Sequence, residues 1–175
     1  MPKYFNRAIV GNSKVLACLD EKAELTRLYY PYIDYFQNID VYKLGFVREK
    51  RVCWFSDAEL INQFYEGNIV VTKLKYEDMD ILIRDYVLLQ RNVMVRRIKF
   101  NQKTKLMVYS KLNSSPDKMI SGMVVNHALI QYCPDFYFTT FWANIIVTLK
   151  TTTWRLLRSI RLSSITLISC RPIWR

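Results

Sequence analysis

The chain has one histidine, His127, so a histidine-based metal cluster is impossible and a catalytic triad would rest on that residue alone. Its neighbours Val125, Asn126, Ala128 and Leu129 belong to a strand or turn, and His127 reads as structural. Carboxylates for general acid and base work are present at Asp34, Asp40, Glu77, Asp78 and Asp80, but spacing alone does not set any two of them across a substrate. The run Glu77-Asp78-Met79-Asp80 reads more simply as a solvated strand end. Tyr29, Tyr30, Tyr32, Tyr35 and Phe36 could stack on sugar rings, although such aromatics more often pack a core or an interface. Cys18, Cys53, Cys133 and Cys170 form no C-x-x-C pair, which argues for buried free thiols rather than a zinc or redox site. The sequence lacks G-x-S-x-G, a Walker loop and G-x-G-x-x-G, so nucleophile elbows and phosphate cradles are not expected. No cofactor or metal is expected.

The elements that would position these residues are strands. Arg7 to Val10 and Lys14 to Leu19 flank Gly11-Asn12, a Gly-first pair suited to a tight primed turn. After Asp20-Glu21-Lys22, residues 25–30 continue the meander until Pro31 ends regular pairing. Residues 32–40 mix aromatic and polar groups without a period and read as a long surface loop, where function often resides. A hairpin is predicted over 41–47 and 51–55, and Ser56-Asp57 could cap a short helix reaching Phe64.

The clearest pattern lies in the middle, where 68–76, 79–87, 92–100 and 105–112 are four β-prone runs separated by turn or charged residues. In the second run Met79, Ile81, Ile83, Asp85 and Val87 alternate with Asp80, Leu82, Arg84 and Tyr86, the period of a half-buried antiparallel strand. Up to three more strands follow within 122–141. The 175 residues suffice for one domain, and a 51% hydrophobic content with 12 Tyr and 9 Phe excludes a disordered chain. An all-β antiparallel sandwich follows.

The formal charge of +11 raises nucleic acid or an anionic membrane as partners, so its placement matters. Every Asp and Glu lies at or before Asp135, and six unopposed basic residues fall in 150–175, leaving a body that is only mildly basic. Neither nucleic acid nor membrane is therefore favoured as a partner. The longest uncharged stretch, 136–149, is shorter than the roughly 20 residues a transmembrane helix needs. The first ten residues have no apolar run of signal-peptide length, and a reducing cytoplasm is the expected location.

The motif Tyr4-Phe5-Asn6-Arg7-Ala8-Ile9-Val10-Gly11-Asn12, followed by Ala17-Cys18-Leu19-Asp20, Leu28-Tyr29-Tyr30-Pro31 and Ile33-Asp34-Tyr35, resembles the start of prokaryotic glucoamylase-like enzymes of glycoside hydrolase family 15. Arg91-Asn92-Val93-Met94-Val95-Arg96-Arg97 and Leu106-Met107-Val108-Tyr109-Ser110 are similar to later strands of the same N-terminal domain, so the resemblance spans roughly residues 3–141. It implies an antiparallel super-sandwich, here incomplete, that packs against a helical (α/α) barrel hydrolysing α-glucosidic bonds with inversion. Such a mechanism needs two carboxyls about 6.5 to 9.5 Å apart, and in this family both sit in the barrel. No residue of this chain inherits a catalytic role. The resemblance makes the barrel, and through it an α-glucan, the implied partners. It also makes the 32–40 loop, with Tyr32, Asp34, Tyr35 and Gln37, the candidate interface or substrate-edge contact.

The sandwich is expected over 1–142, and 143–175 read as an atypical basic tail, helical or disordered. In a helix Trp154, Leu157, Ile160 and Ser164 would line one face with Arg155, Arg158 and Arg161 largely off it, a pattern that could adsorb to anionic lipid. The alternative, which we favour, is a coding frame lost near residue 143. A sandwich cut short there would expose strand edges and be poorly soluble. The leading function is thus a noncatalytic fragment of an α-glucan hydrolase. The alternatives are a stand-alone sugar- or protein-binding sandwich, and a basic protein that binds membrane or nucleic acid through its tail.

Overall fold

The computed structural model describes residues 7–30, 39–112, 121–125, 128–133, 136–143 and 164–172, with side chains described for 7–30 and 42–110. The described chain is antiparallel β. The strands are β1 Ala8–Gly11, β2 Leu16–Leu19, β3 Leu25–Tyr29, β4 Ile39–Arg48, β5 Arg51–Trp54, β6 Glu59–Glu66 and β7 Ile69–Tyr76. They continue as β8 Met79–Val87, β9 Val93–Phe100, β10 Lys105–Leu112, β11 Ser121–Val125, β12 Ala128–Cys133, β13 Phe136–Ala143 and β14 Ser164–Pro172. They form two three-stranded sheets, β1-β2-β3 and β10-β4-β5, and one eight-stranded sheet in the order β11-β12-β13-β14-β9-β8-β7-β6.

The alternation read in the middle of the chain sets the inner face of the large sheet. Met79, Ile81, Ile83, Asp85 and Val87 are all buried, and on β9 the last four meet Phe100, Ile98, Arg96 and Met94 in register. The apolar residues among these join Val10, Leu19 and Leu28 of the first small sheet and Leu44, Phe46 and Leu106 of the second in one core. At one end of that core, Phe46 meets Tyr76 edge-on at 5.4 Å and Phe100 at 5.9 Å between ring centroids, an arrangement that aromatic quadrupoles favour.

Tight turns fix the register. Glu49 and Lys50, with φ of 47° and 66°, make the two-residue primed turn between β4 and β5, and Gly67 with φ of 62° opens the turn between β6 and β7. The first hairpin differs from the sequence expectation. Gly11 is the last residue of β1, opposite Leu16, and the reversal is made by Asn12, whose Oδ1 accepts from the backbone N–H of Lys14 and Val15 at 2.8 Å. Glycine is needed at 11 for close approach instead, because a Cβ there would sit 2.7 Å from the Val15 carbonyl oxygen. The outer edge of β1 is held by Tyr65 of β6, whose hydroxyl accepts from Ile9 N–H at 2.8 Å and donates to Ile9 C=O at 3.1 Å.

Two further expectations are corrected. The helix predicted from Ser56 to Phe64 is a single 3-10 turn, Phe55–Asp57, followed by strand β6. Edge strand β6 pairs only with β7 in the described sheet, and most of its residues are exposed, with only Leu60 and Gln63 half-buried, so it lacks the alternation that identifies a strand. In the tail, Ser164–Pro172 is a strand rather than helix or disorder, and it lies between β13 and β9, antiparallel to both. The rest of the proposed amphipathic helix lies outside the described residues. Among the described residues no helix is long and apolar enough to cross a membrane.

Candidate functional site

Tyr32, Asp34, Tyr35 and Gln37 lie outside the described residues, as does His127, and Asp40 is described only as backbone at the start of β4. The approach to that loop is described: Tyr30 at the end of β3 is buried, and its hydroxyl accepts from Asn92 Nδ2 at 3.0 Å. Tyr30 therefore packs and anchors.

The carboxylates at 77–80 lie at a solvated strand end, as the sequence suggested, in a turn clamped by donors. Arg48 Nη1 lies 3.1 Å from Glu77 Oε2 and also bonds Asp78 Oδ1, while Gln102 Nε2 donates to Asp78 Oδ2 at 2.8 Å. Asn101 Nδ2 donates to Asp80 Oδ2 at 3.2 Å. The Gln102 and Arg48 donors hold the Asp78 carboxyl below the usual carboxylate range. A carboxyl held ionised in this way is unsuited to donate a proton as a general acid.

The strongest polar feature, which sequence reading missed, is a buried ion pair. Asp85 of β8 and Arg96 of β9 are directly opposite on the inner face and both wholly inaccessible to solvent. Arg96 Nε and Nη2 donate to the two Asp85 oxygens at 2.8 and 3.0 Å, and the guanidinium lies 5.8 Å from the Tyr42 ring centroid. Burial raises the Asp85 carboxyl above its usual range, against the opposing pull of Arg96. Arg96 Nη2 also donates to the carbonyl of Ala23, which has a φ of 58° in the turn at residues 20–24. The same turn receives Gln63 Nε2 on the carbonyl oxygen of Asp20 at 2.8 Å. Burial raises both Asp20 and Glu24, and for Glu24 the charge of Asp20 adds to it. This cluster ties the first small sheet to the large one. Its ion-pairing and turn-fixing geometry explains Asp85 on an otherwise apolar face. Only the pairing register, beyond reach of the sequence, would have matched Asp85 to a residue 11 positions away.

No group of three or more His, Cys, Asp or Glu side chains could hold a metal ion among the described residues. Cys18 and Cys53 are buried free thiols, as expected, and burial raises the Cys18 thiol.

A second unanticipated feature is on the outer face of sheet β10-β4-β5. Gly45 in mid-β4 faces Trp54 on β5 and Met107 on β10. A Cβ at 45 would lie 2.9 Å from Trp54 Cε3, so the indole lies over the space glycine leaves. Val47 and Val52 pair alongside, and Lys43 is opposite Tyr109, whose exposure is 41%.

No family model matches the chain. Over 98 residues it is 34% identical to an uncharacterized glycosyl hydrolase of Methanocaldococcus jannaschii, a match covering 54% of this chain and 16% of that protein. Its structure resembles that of a bacterial glucoamylase complexed with acarbose, with a TM-score of 0.65 and 15% identity, covering 89% of this chain and 28% of the glucoamylase chain. The chain thus matches about a sixth of its curated relative and little more than a quarter of the solved enzyme. The fold is one that forms part of a bacterial glucoamylase, and the chain is similar in sequence to a glycosyl hydrolase.

Proposed function

We propose that the chain is the N-terminal β-sandwich portion of a glucoamylase-like α-glucan hydrolase of glycoside hydrolase family 15, a noncatalytic part that braces an (α/α) barrel. The observation carrying this reading is that nearly nine-tenths of the chain fits onto only 28% of a bacterial glucoamylase. Inverting hydrolysis needs an acid and a base about 6.5 to 9.5 Å apart with water between them, and the reading assigns both to the barrel. The described carboxylates support that division of labour, since Asp78, Asp80 and Asp85 are each engaged by neighbouring donors. Within this reading Tyr32, Asp34, Tyr35 and Gln37 meet the barrel or the edge of its α-glucan, and neither nucleic acid nor a membrane is a partner. The free buried thiols of Cys18 and Cys53 support a reducing compartment such as the cytoplasm.

The test is an assay of the purified chain on maltooligosaccharides. No glucose release above a heat-inactivated control is the expected outcome. Release that tracks the folded chain through purification would overturn the noncatalytic reading.

A further inference from the structure

We propose that the outer face of the β10-β4-β5 sheet is a glycan-binding platform on which Trp54 and Tyr109 stack pyranose rings. Among the residues with described side chains, three rows of paired residues make this face: Val52, Val47 and Lys105; Trp54, Gly45 and Met107; Lys43 and Tyr109. The opposite face of the same strands carries the buried Tyr42, Leu44, Phe46, Leu106 and Val108, so the core accounts for one side of the sheet only. On the outer side Trp54 is partly exposed and Tyr109 and Val52 are each 41% exposed.

The glycine is the decisive element. A glycine in mid-strand weakens a sheet, and here the missing side chain leaves room that the indole of Trp54 reaches into, its Cε3 lying 2.9 Å from where a Cβ would stand. An aromatic ring on a sheet surface carries an electron-rich face that a ligand can cover. The C–H-lined face of a pyranose is its complement, since polarised C–H groups are attracted to the negative face of the ring. Neither the Trp54 indole N–H nor the Tyr109 hydroxyl has a hydrogen-bond partner among the described residues, and Lys43 and Lys105 border the rings. These donors suit sugar hydroxyls around a stacked ring.

The spacing selects an oligosaccharide. Trp54 and Tyr109 stand two strands apart and one same-face step along, roughly 12 Å between their Cα positions from standard sheet spacings. A single pyranose does not bridge that span, whereas a short glycan does. Two lysines among the described side chains of this face, without a denser cationic array, are too few for a nucleic-acid backbone. The lysines also break the apolar surface that a protein partner would bury.

The choice of an α-linked glucan rests on the proposed function, whereas the platform does not. The experiment is titration calorimetry of the full chain with maltoheptaose, cellohexaose and glucose. Saturable maltoheptaose binding is expected, weakened about tenfold by Trp54→Ala and by Tyr109→Ala and largely kept in Trp54→Phe. Binding of cellohexaose alone with the same variant pattern would support the platform and remove the α-glucan assignment. Absence of saturable binding by the folded chain would overturn the proposal, as would affinity unchanged in both alanine variants. Concentration-dependent self-association abolished by Trp54→Ala, without glycan binding, would also overturn it by making the face a protein contact. A circular-dichroism melt checks that each variant is folded.

Discussion

Two acidic turns, residues 20–24 and residues 77–80, use the same residue types and titrate in opposite directions. Each contains a non-glycine residue in the left-handed region, Ala23 with φ of 58° and Glu77 with φ of 54°. The first is pressed against the large sheet, where loss of water raises Asp20 and Glu24. The second stands in solvent, where Gln102 and Arg48 lower Asp78. The Asp80 N–H donates to Asn101 Oδ1 at 3.0 Å in the second turn, much as the Glu24 N–H donates to Asp20 Oδ1 at 2.7 Å in the first. Local hydrogen bonding is therefore similar. What faces the free carboxylate oxygens, protein interior or cationic donor, sets the direction.

The largest expected effect lies beneath the inner turn. Arg96→Ala leaves Asp85 buried without its partner and removes the donor to Ala23, and should cost about 3 to 5 kcal/mol in urea unfolding. The double replacement Asp85→Leu with Arg96→Met should recover most of that loss. A double variant as unstable as the single one would show that the turn depends on the Ala23 contact more than on neutralising Asp85.

A smaller effect separates the turns by pH. Because the folded-state pKa of Glu24 is raised, its contribution is fully present below the ordinary carboxylate range and is lost as pH rises through the raised value. Glu24→Gln should therefore stabilise the chain near neutrality and flatten that slope in pH-dependent melts. An unchanged slope would mean that water reaches the carboxylate. The smallest effect is expected at Asp78, whose lowered pKa gives stability present above the unfolded value and lost as pH falls through the folded one. Asp78→Asn should flatten only the acid limb. The difference between Asp78→Asn and the native chain should fade near 1 M salt, where the screening length is about 3 Å. A difference insensitive to salt would make the outer turn more like the inner one than its exposure suggests.

Much of the fold was legible because burial on one face imposes a period of two. The runs at 68–76, 79–87, 92–100 and 105–112 became β7 to β10 with ends within a residue. Where that constraint is weak, so was the signal: β6 is exposed along most of its length and read as a capped helix, although Ser56 and Asp57 do lie in a 3-10 turn. The hairpin at Gly11 was placed correctly, but glycine's role there is close approach and Asn12 makes the turn. Asp85 was placed on the inner face without a reason for being there, since its partner follows from strand register. Register also created the Trp54–Gly45–Met107 row, from three residues separated by 9 and 53 positions in sequence. The loop with Tyr32 and Tyr35 stands out by composition, whereas the place of Trp54 beside Gly45 depends on a residue with no side chain.

The phenol of Tyr65 carries a consequence of a different kind. By taking both the N–H and the C=O of Ile9, it occupies the outward rung of β1 that an arriving strand from another molecule would use first. One side chain thus works as a cap against templated growth along that edge, and its loss as Phe would open a nucleation point for intermolecular pairing without removing any apolar surface from the core.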